Sequence, residues 1–461
     1  MLKKIDTLND ITSEVSPLRR DLSEELFQKL PIVMNRIHGT DFSERFWKII
    51  LERHVNAVIS RKGNLGQNAI KRRPDLFPFN KRGIPCRKEI IKQRVIDFVK
   101  HLKSRKYRKQ IKRTLEKDDK VRIGFFEYPE LDTERIGERL PVFHPFPITF
   151  GDKNKRSAVN KIAAEQEDVY FSNVVRELPR IAVEHFEQIY NSIDLFSPHK
   201  KEIHLHTTQS TFNEYLIAKY VEHGAKLIWY QHGCNYGEFK SIAAHHFEHS
   251  VSDEYRTWGW KIKEKDVPWK AYRLEKFRQD YPDTSVRKDC DLLIAYSTIN
   301  AGIIEEFKYV TDYLLTNLDP AKYGAILARP QPSNKIHSHR RELGFIEDDR
   351  VIKTSGLAPM AKDMARCRVV LQMKVPSTNF LECLYVDHPT IGLLHNDHPT
   401  EIIEPYYDFF KRAGVLHDSL ESLVMQLNTV NVESWWREVT DRREFRDFKK
   451  RFARAEEIVV E

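Results

Sequence analysis

The sequence predicts an α/β protein made of two Rossmann-like lobes that face a cleft, preceded by a mainly helical segment. Three observations carry this. Two separate series of short apolar runs alternate with helical patterns, one from residue 121 and one from residue 289. A charged stretch with Pro268 and Pro282, residues 261–288, lies between the two series. Alternation of strands and helices is the pattern of a parallel sheet, and two such series predict two doubly wound units. The expected organisation is a helical segment over 1–120, a first lobe over 121–260, an interlobe connection over 261–288, a second lobe over 289–430 and a helical tail over 431–461.

Length and composition fit. At 461 residues the chain exceeds a single ordinary domain, and 41% hydrophobic with 11% aromatic residues is enough to build cores. No stretch approaches the roughly 18 apolar residues of a membrane span. Met1–Asp6 carries charge with no apolar run behind it, unlike a signal peptide, so a cytoplasmic location is expected. The cysteines, Cys86, Cys234, Cys290, Cys367 and Cys383, are odd in number, widely spaced and without a CxxC, which argues against a disulfide framework or a zinc site.

The net charge is +9, and its densest basic run is 100–113, KHLKSRKYRKQIKR. Two readings stay open there: a solvated helix face, or contact with an anionic membrane surface or substrate. No zinc finger, RRM or helix-turn-helix signature supports nucleic acid as a partner.

Along the chain, Phe42–Ile59 repeats apolar residues at near-helical spacing. Val121–Phe126 reads as a strand, residues 158–193 as largely helical, and Ile203–Thr207 as a strand. Thr211 and Glu214 match a capping box, so a helix is predicted over 211–223, ended by Gly224 and followed by a strand over 225–230. In the second series, strands are predicted over 291–296, 325–328, 351–353, 369–372 and 390–394, with helices over 303–318, 359–367 and 379–386 between them. From Tyr406 the tail reads as helical.

Ligands of open parallel sheets collect at the carboxyl ends of strands. That rule selects five loops: 127–129, 207–210, 231–233, 329–332 and 374–378. In the last, Ser377, Thr378 and Asn379 lie between a buried strand and a helix start, where free backbone N–H groups and the helix dipole suit a phosphate. The alternative is that Ser377 or Thr378 only caps its helix. Arg329 offers a charge-assisted contact to the same phosphate, or else a surface ion pair. In Gln231-His232-Gly233-Cys234-Asn235-Tyr236-Gly237, two glycines flank a histidine able to act as acid, base or phosphate partner, or simply as a structural residue. Glu127, Asp132 and Glu238 are carboxylates near suitable strand ends. His245, His246 and His249 match no standard zinc spacing, and neither a metal nor another cofactor is expected. A Walker A loop and a GxGxxG are both missing, which removes the usual support for ATPase or dehydrogenase chemistry.

Several segments together resemble one family. They are Gln231–Gly237 (QHGG-x-YG), Ser252-Asp253 with Thr257–Trp260 (SD…WGW), Pro376–Glu382 followed by His388-Pro389-Thr390, Glu404–Tyr407 with Ala413–Val415, Trp435-Trp436, and Phe46–Ile50. They are similar to bacterial transferases linked to surface-polysaccharide assembly, and at longer range to capsule β-Kdo transferases that use CMP-activated ulosonic acids. Cys234 stands where that family has a second glycine, and Gln331 stands in place of the histidine of a His-Pro phosphate motif.

The resemblance implies a GT-B-like glycosyltransferase with the acceptor on the first lobe and the nucleotide sugar on the second. Its donor is a CMP-linked ulosonic acid, Kdo- or sialic-acid-like, and its acceptor a glycan or lipid-linked molecule. The expected catalytic residues are His232, Glu127 and Glu238. The expected donor-binding residues are Arg329, Gln331, Ser377, Thr378, Asn379 and Glu382. Gln231, Gly233, Tyr236 and Gly237 are expected to shape the loop. Two alternatives remain at this stage: a UDP-, GDP- or CDP-dependent transferase, and a non-catalytic sugar-nucleotide-binding or scaffold protein of the same machinery.

Overall fold

The computed structural model describes residues 22–63, 120–123, 138–140, 152–193, 200–206, 211–234, 236–238, 243–282, 288–296, 304–331, 343–394 and 399–454. The basic run 100–113, Glu127, Asp132, the loop 207–210 and Asn235 lie outside the described residues. The chain divides into two compact units. One is Met1–Tyr230 with Ala243–Tyr255, and the other is Gln231–Ile242 with Arg256–Glu461.

The first unit opens with a helix over 22–38 and α1 (Glu44–Gly63). Phe46, Trp47, Ile50, Leu51, Val55 and Val58 fall on one side of α1 at steps of one, three and four, and all are buried. Trp47 packs on Phe186 with ring centroids 5.0 Å apart, and its indole N–H donates to Asn35 Oδ1 at 2.8 Å. The helical expectation for 158–193 resolves into α2 (Lys153–Ala164), α3 (Val169–Arg176), α4 (Arg180–Val183) and α5 (Phe186–Ile193).

Strands β1 (Lys120–Ile123), β2 (Glu138–Leu140), β3 (Glu202–Leu205) and β4 (Lys226–Tyr230) follow, with α6 (Thr211–Glu222) joining β3 to β4. Helix α7 (Ala243–Val251) leads to β5 (Glu254–Thr257), and β6 (Asp266–Pro268) comes next. The first sheet has the order β2-β1-β3-β4-β5-β6. The pairs β1·β2, β1·β3 and β3·β4 are parallel. Ile203, Leu205, Leu227, Ile228 and Trp229 are buried, as their apolar runs predict. Asp253 ties the start of β4 to the chain entering β5: its carboxylate accepts from the Leu227 N–H at 2.7 Å, and its own N–H donates to Leu227 O at 2.8 Å. Arg45 grips the same carboxylate with two nitrogens, at 3.1 and 2.8 Å.

In the second unit, α8 (Tyr272–Asp280) precedes β7 (Cys290–Ala295). The charged stretch read as an interlobe connection thus contains β6 and α8, and it groups with the second unit. Its apolar residues explain this: Tyr272, Leu274 and Phe277 are buried beneath the charged face of α8. Then come α9 (Ile304–Asn317), β8 (Ile326–Arg329), β9 (Val351–Lys353), α10 (Met360–Ala365), β10 (Cys367–Val375), α11 (Thr378–Tyr385) and β11 (Thr390–Leu394). Each predicted element of this series is present to within about three residues.

The second sheet has the order β12-β11-β10-β7-β8-β9, with every neighbouring pair parallel. Its core strand is β10, nine residues long, where Val369, Val370 and Leu371 are fully buried. The tail is helical as expected, in α12 (Glu404–Arg412), α13 (Leu420–Thr429), α14 (Val432–Thr440) and α15 (Arg443–Phe452). It also holds the two-residue strand β12 (Leu416–His417). In α15, Phe445, Phe448 and Phe452 face inward one turn apart. Trp435 and Trp436 donate their indole N–H groups to Ala413 O and Asp387 O, each at 2.7 Å. Among the described residues no helix is long and apolar enough to cross a membrane.

Candidate active site

The strand order locates a site within the second unit. From β7 the chain moves outward through β8 to β9, then returns to the other side of β7 with β10 and continues to β11 and β12. The order therefore reverses between β7 and β10, and a crevice at such a reversal is where open α/β sheets bind ligands. At the carboxyl end of β10 the chain passes a cis Val375–Pro376 bond and enters α11. Ser377 is the N-cap: its Oγ accepts from the Phe380 N–H at 3.1 Å. The cap does not use up the helix start. The cap serves the third N–H of the helix, while those of Thr378 and Asn379 find no acceptor among the described residues.

The loop 231–238 folds onto this helix start. The Cys234 N–H donates to Thr378 Oγ1 at 3.3 Å. Gln231 anchors the loop. Its Oε1 accepts from the Trp258 N–H at 2.8 Å and from the Trp260 indole at 3.0 Å, its Nε2 donates to Gly233 O at 2.8 Å, and its carbonyl accepts from the Trp258 indole at 3.1 Å. The two motifs read separately in the sequence are therefore one hydrogen-bonded knot. Gly237 has φ +75°, and a Cβ there would stand 2.5 Å from the Trp260 ring, so only glycine fits. Beyond it, the Thr400 N–H donates to Glu238 O at 2.7 Å.

His232 is half-buried in this loop, with the Tyr236 hydroxyl 3.1 Å from Nε2. Burial, and then the positive charge of Arg273, push its pKa down to about 4, so the ring is neutral at neutral pH and a weaker base than a free imidazole. Arg273, on α8, donates from Nε to Glu382 Oε1 at 3.3 Å. Glu382 is buried on α11, one turn beyond Thr378, and burial raises its pKa against the pull of Arg273. Sequence reasoning missed Arg273. It sits among many charges in a stretch read as a connection, and only the packing of α8 on α11 brings it to the site. That packing includes the Tyr385 hydroxyl donating to Glu275 at 2.7 Å.

Two expected residues, Arg329 and Glu238, behave differently from the sequence reading. Arg329, at the end of β8, is 4% exposed: it pairs with Asp363 and donates to Gly356 O at 3.0 Å and Ala358 O at 2.7 Å. Those three acceptors take three of the five guanidinium N–H donors and neutralise its charge within the protein. Glu238, expected as a catalytic carboxylate, is 2% exposed, and its side chain accepts from the Tyr407 hydroxyl at 3.0 Å. Cys234 is a buried thiol whose pKa burial pushes well up, which leaves it unreactive. Gln331 is exposed just beyond β8. Ser377, Thr378, Asn379, Glu382, His232 and the loop residues Gln231, Gly233, Tyr236 and Gly237 all belong to the second unit.

Comparison with known proteins follows from this geometry. The sequence profile of the LIC12162 family transferases matches residues 79–460. No curated protein matches the chain. Among solved structures, a putative UDP-N-acetylglucosamine 2-epimerase from Listeria monocytogenes is similar at 13% identity over 74% of this chain and 100% of its own, with a TM-score of 0.41. Staphylococcus aureus MnaA with UDP is 13% identical over 59% and 73% of the two chains, with a TM-score of 0.37. MurG of Acinetobacter baumannii is 9% identical over 69% and 83%, with a TM-score of 0.35. At these TM-scores the likeness assigns neither an activity nor a ligand.

Proposed function

The chain belongs to the LIC12162 family of transferases, and from that premise we propose that it is a glycosyltransferase. It takes a sugar from a nucleotide donor and passes it to a glycan or lipid-linked acceptor in bacterial surface-polysaccharide assembly. The observation that carries this reading is the helix start of α11 at the strand-order reversal, joined by Thr378 to the histidine loop. A phosphate-binding helix start next to a neutral histidine suits transfer from a phosphate leaving group.

In this reading the donor phosphates rest on the N–H groups of Thr378 and Asn379. His232 takes the acceptor hydroxyl proton as the new C–O bond forms, and the nucleotide leaves with the electrons of the broken bond. The helix start and Arg273 meet the leaving charge, so transfer needs no metal ion. The first unit serves the acceptor. The donor is a CMP-activated ulosonic acid, with UDP, GDP and CDP sugars as the alternatives. The protein acts in the cytoplasm, with residues 100–113 at an anionic membrane face. Flotation with anionic vesicles tests that last point.

The deciding experiment is calorimetric titration with CMP, UDP, GDP and CDP, followed by turnover of the matching sugar donor with and without EDTA. Binding of one nucleotide and EDTA-resistant turnover are expected. Failure of all four nucleotides to bind would refute a nucleotide-sugar enzyme. The burial of Glu238 against Tyr407 favours one other reading, a non-catalytic sugar-nucleotide-binding protein. Nucleotide binding without turnover of any donor would select it.

A further inference from the structure

Two arginines are candidates for an anionic ligand, Arg329 at the end of β8 and Arg273 on α8, which reaches the helix that follows β10, and the structure distinguishes them. Arg329 is buried and held by three acceptors, Asp363, Gly356 O and Ala358 O. The Arg273 side chain is 36% exposed, and its one hydrogen bond among the described residues is the long Nε contact to Glu382 at 3.3 Å. Both terminal amino groups of its guanidinium are therefore without an acceptor among the described residues. A guanidinium so placed presents the two-pronged donor face that carboxylates and phosphates fit. Its counter-ion is 6% exposed, so the carboxylate is fixed while the arginine can move.

The surroundings of Arg273 are those of the site. Its field reaches His232, Cys234 and Glu382. Cys234 is bonded to Thr378 at the start of α11, and Glu382 lies one helical turn further on the same helix. Helix α8 is held in place by Leu274 and Phe277 in the core and by Glu275 on Tyr385.

We propose that Arg273 recognises the anionic group of the donor, with Glu382 as its counter-ion when the site is empty. This rests on the nucleotide-donor reading above and names the residue that selects a charged ligand. Arrival of a phosphate or carboxylate exchanges one long single contact for a paired, charge-assisted one. Glu382 therefore competes with the ligand for Arg273.

The test compares cytidine with CMP, uridine with UDP, and inorganic pyrophosphate, by calorimetry on the wild type, Arg273→Gln, Arg273→Lys and Glu382→Gln, with thermal melts to verify folding. Arg273→Gln is expected to lose roughly 10- to 150-fold in affinity for the nucleotide and none for the nucleoside. Arg273→Lys retains the charge without the fork and is expected to fall between. Glu382→Gln is expected to bind the nucleotide more tightly. A folded Arg273→Gln protein with an unchanged preference for nucleotide over nucleoside overturns the proposal, and so does weaker nucleotide binding in Glu382→Gln. Pyrophosphate separates the two readings. If the wild type binds pyrophosphate through Arg273 but no nucleotide, the donor reading fails and the anion role of Arg273 stands.

Discussion

The backbone N–H of Cys234 donates to the side-chain oxygen of Thr378 across 144 positions of sequence. Through this bond the histidine loop and the start of α11 hold each other in register. Thr378→Val keeps the shape of the side chain and removes the acceptor of this part-buried bond. The expected cost is about 1–3 kcal/mol in chemical denaturation, with Thr378→Ser close to wild type. Equal stability in the valine and serine variants would show that the loop does not depend on this bond.

The knot around Gln231 gives a second prediction. Gly237→Ala forces a left-handed backbone onto a residue with a Cβ and drives that Cβ into the Trp260 ring. Overpacking and backbone strain together should cost about 2–4 kcal/mol. Trp260 also donates to Gln231, so the loop carrying His232 should loosen as well. Urea unfolding and tryptophan fluorescence report both effects. Native-like values for both would mean that the loop can rearrange freely.

Much of the fold was legible because the second series consists of apolar runs bounded by clear breakers. Strand β10 and helix α11 are examples, with Pro376 and Ser377 between them. Strand β2, Glu138–Leu140, and strand β12, Leu416–His417, were not legible: two or three partly polar residues carry no periodicity. The site divides in the same way. Ser377, Thr378 and Gln231 could be read because strand ends and caps are local features. Arg273 and the buried pairing of Arg329 depend on contacts 109 and 34 residues away, and no local pattern records them. The loop at 231–242 follows a strand of the first unit yet folds with the second, which contiguous sequence blocks could not anticipate.

Three histidines predict how stability depends on pH. Burial pushes the pKa of His38 and His232 down to about 4 and that of His388 to about 3. The unfolded chain binds these protons below pH ~6.5, whereas the folded chain resists until near pH 4. Unfolded protein thus holds more protons in that window, and stability falls as pH drops from about 6.5 toward 4. His388→Gln should flatten this slope whatever its effect at pH 7. An unchanged slope in urea titrations across the window would contradict the burial assignment. In the same way, the acid limb of kcat/KM should lie well below pH 6 if His232 is the base of the free enzyme.

Arg329 supplies the sharpest contrast with the sequence reading. Its charge pairs with Asp363, and both side chains are nearly enclosed, at 5% and 9% exposed. Removing one member of such a pair strands the other charge in a poor solvent. Arg329→Met should therefore lose about 3–5 kcal/mol of stability. The double variant Arg329→Met with Asp363→Leu should recover much of that loss, since an apolar pair removes the stranded charge. Recovery should be incomplete, because Gly356 O and Ala358 O lose their donor. Nucleotide affinity in the folded double variant should stay near wild type, because the guanidinium does not serve the ligand. The opposite pattern, a stable Arg329→Met protein that no longer binds nucleotide, would restore Arg329 to the donor site and remove the reason for preferring Arg273.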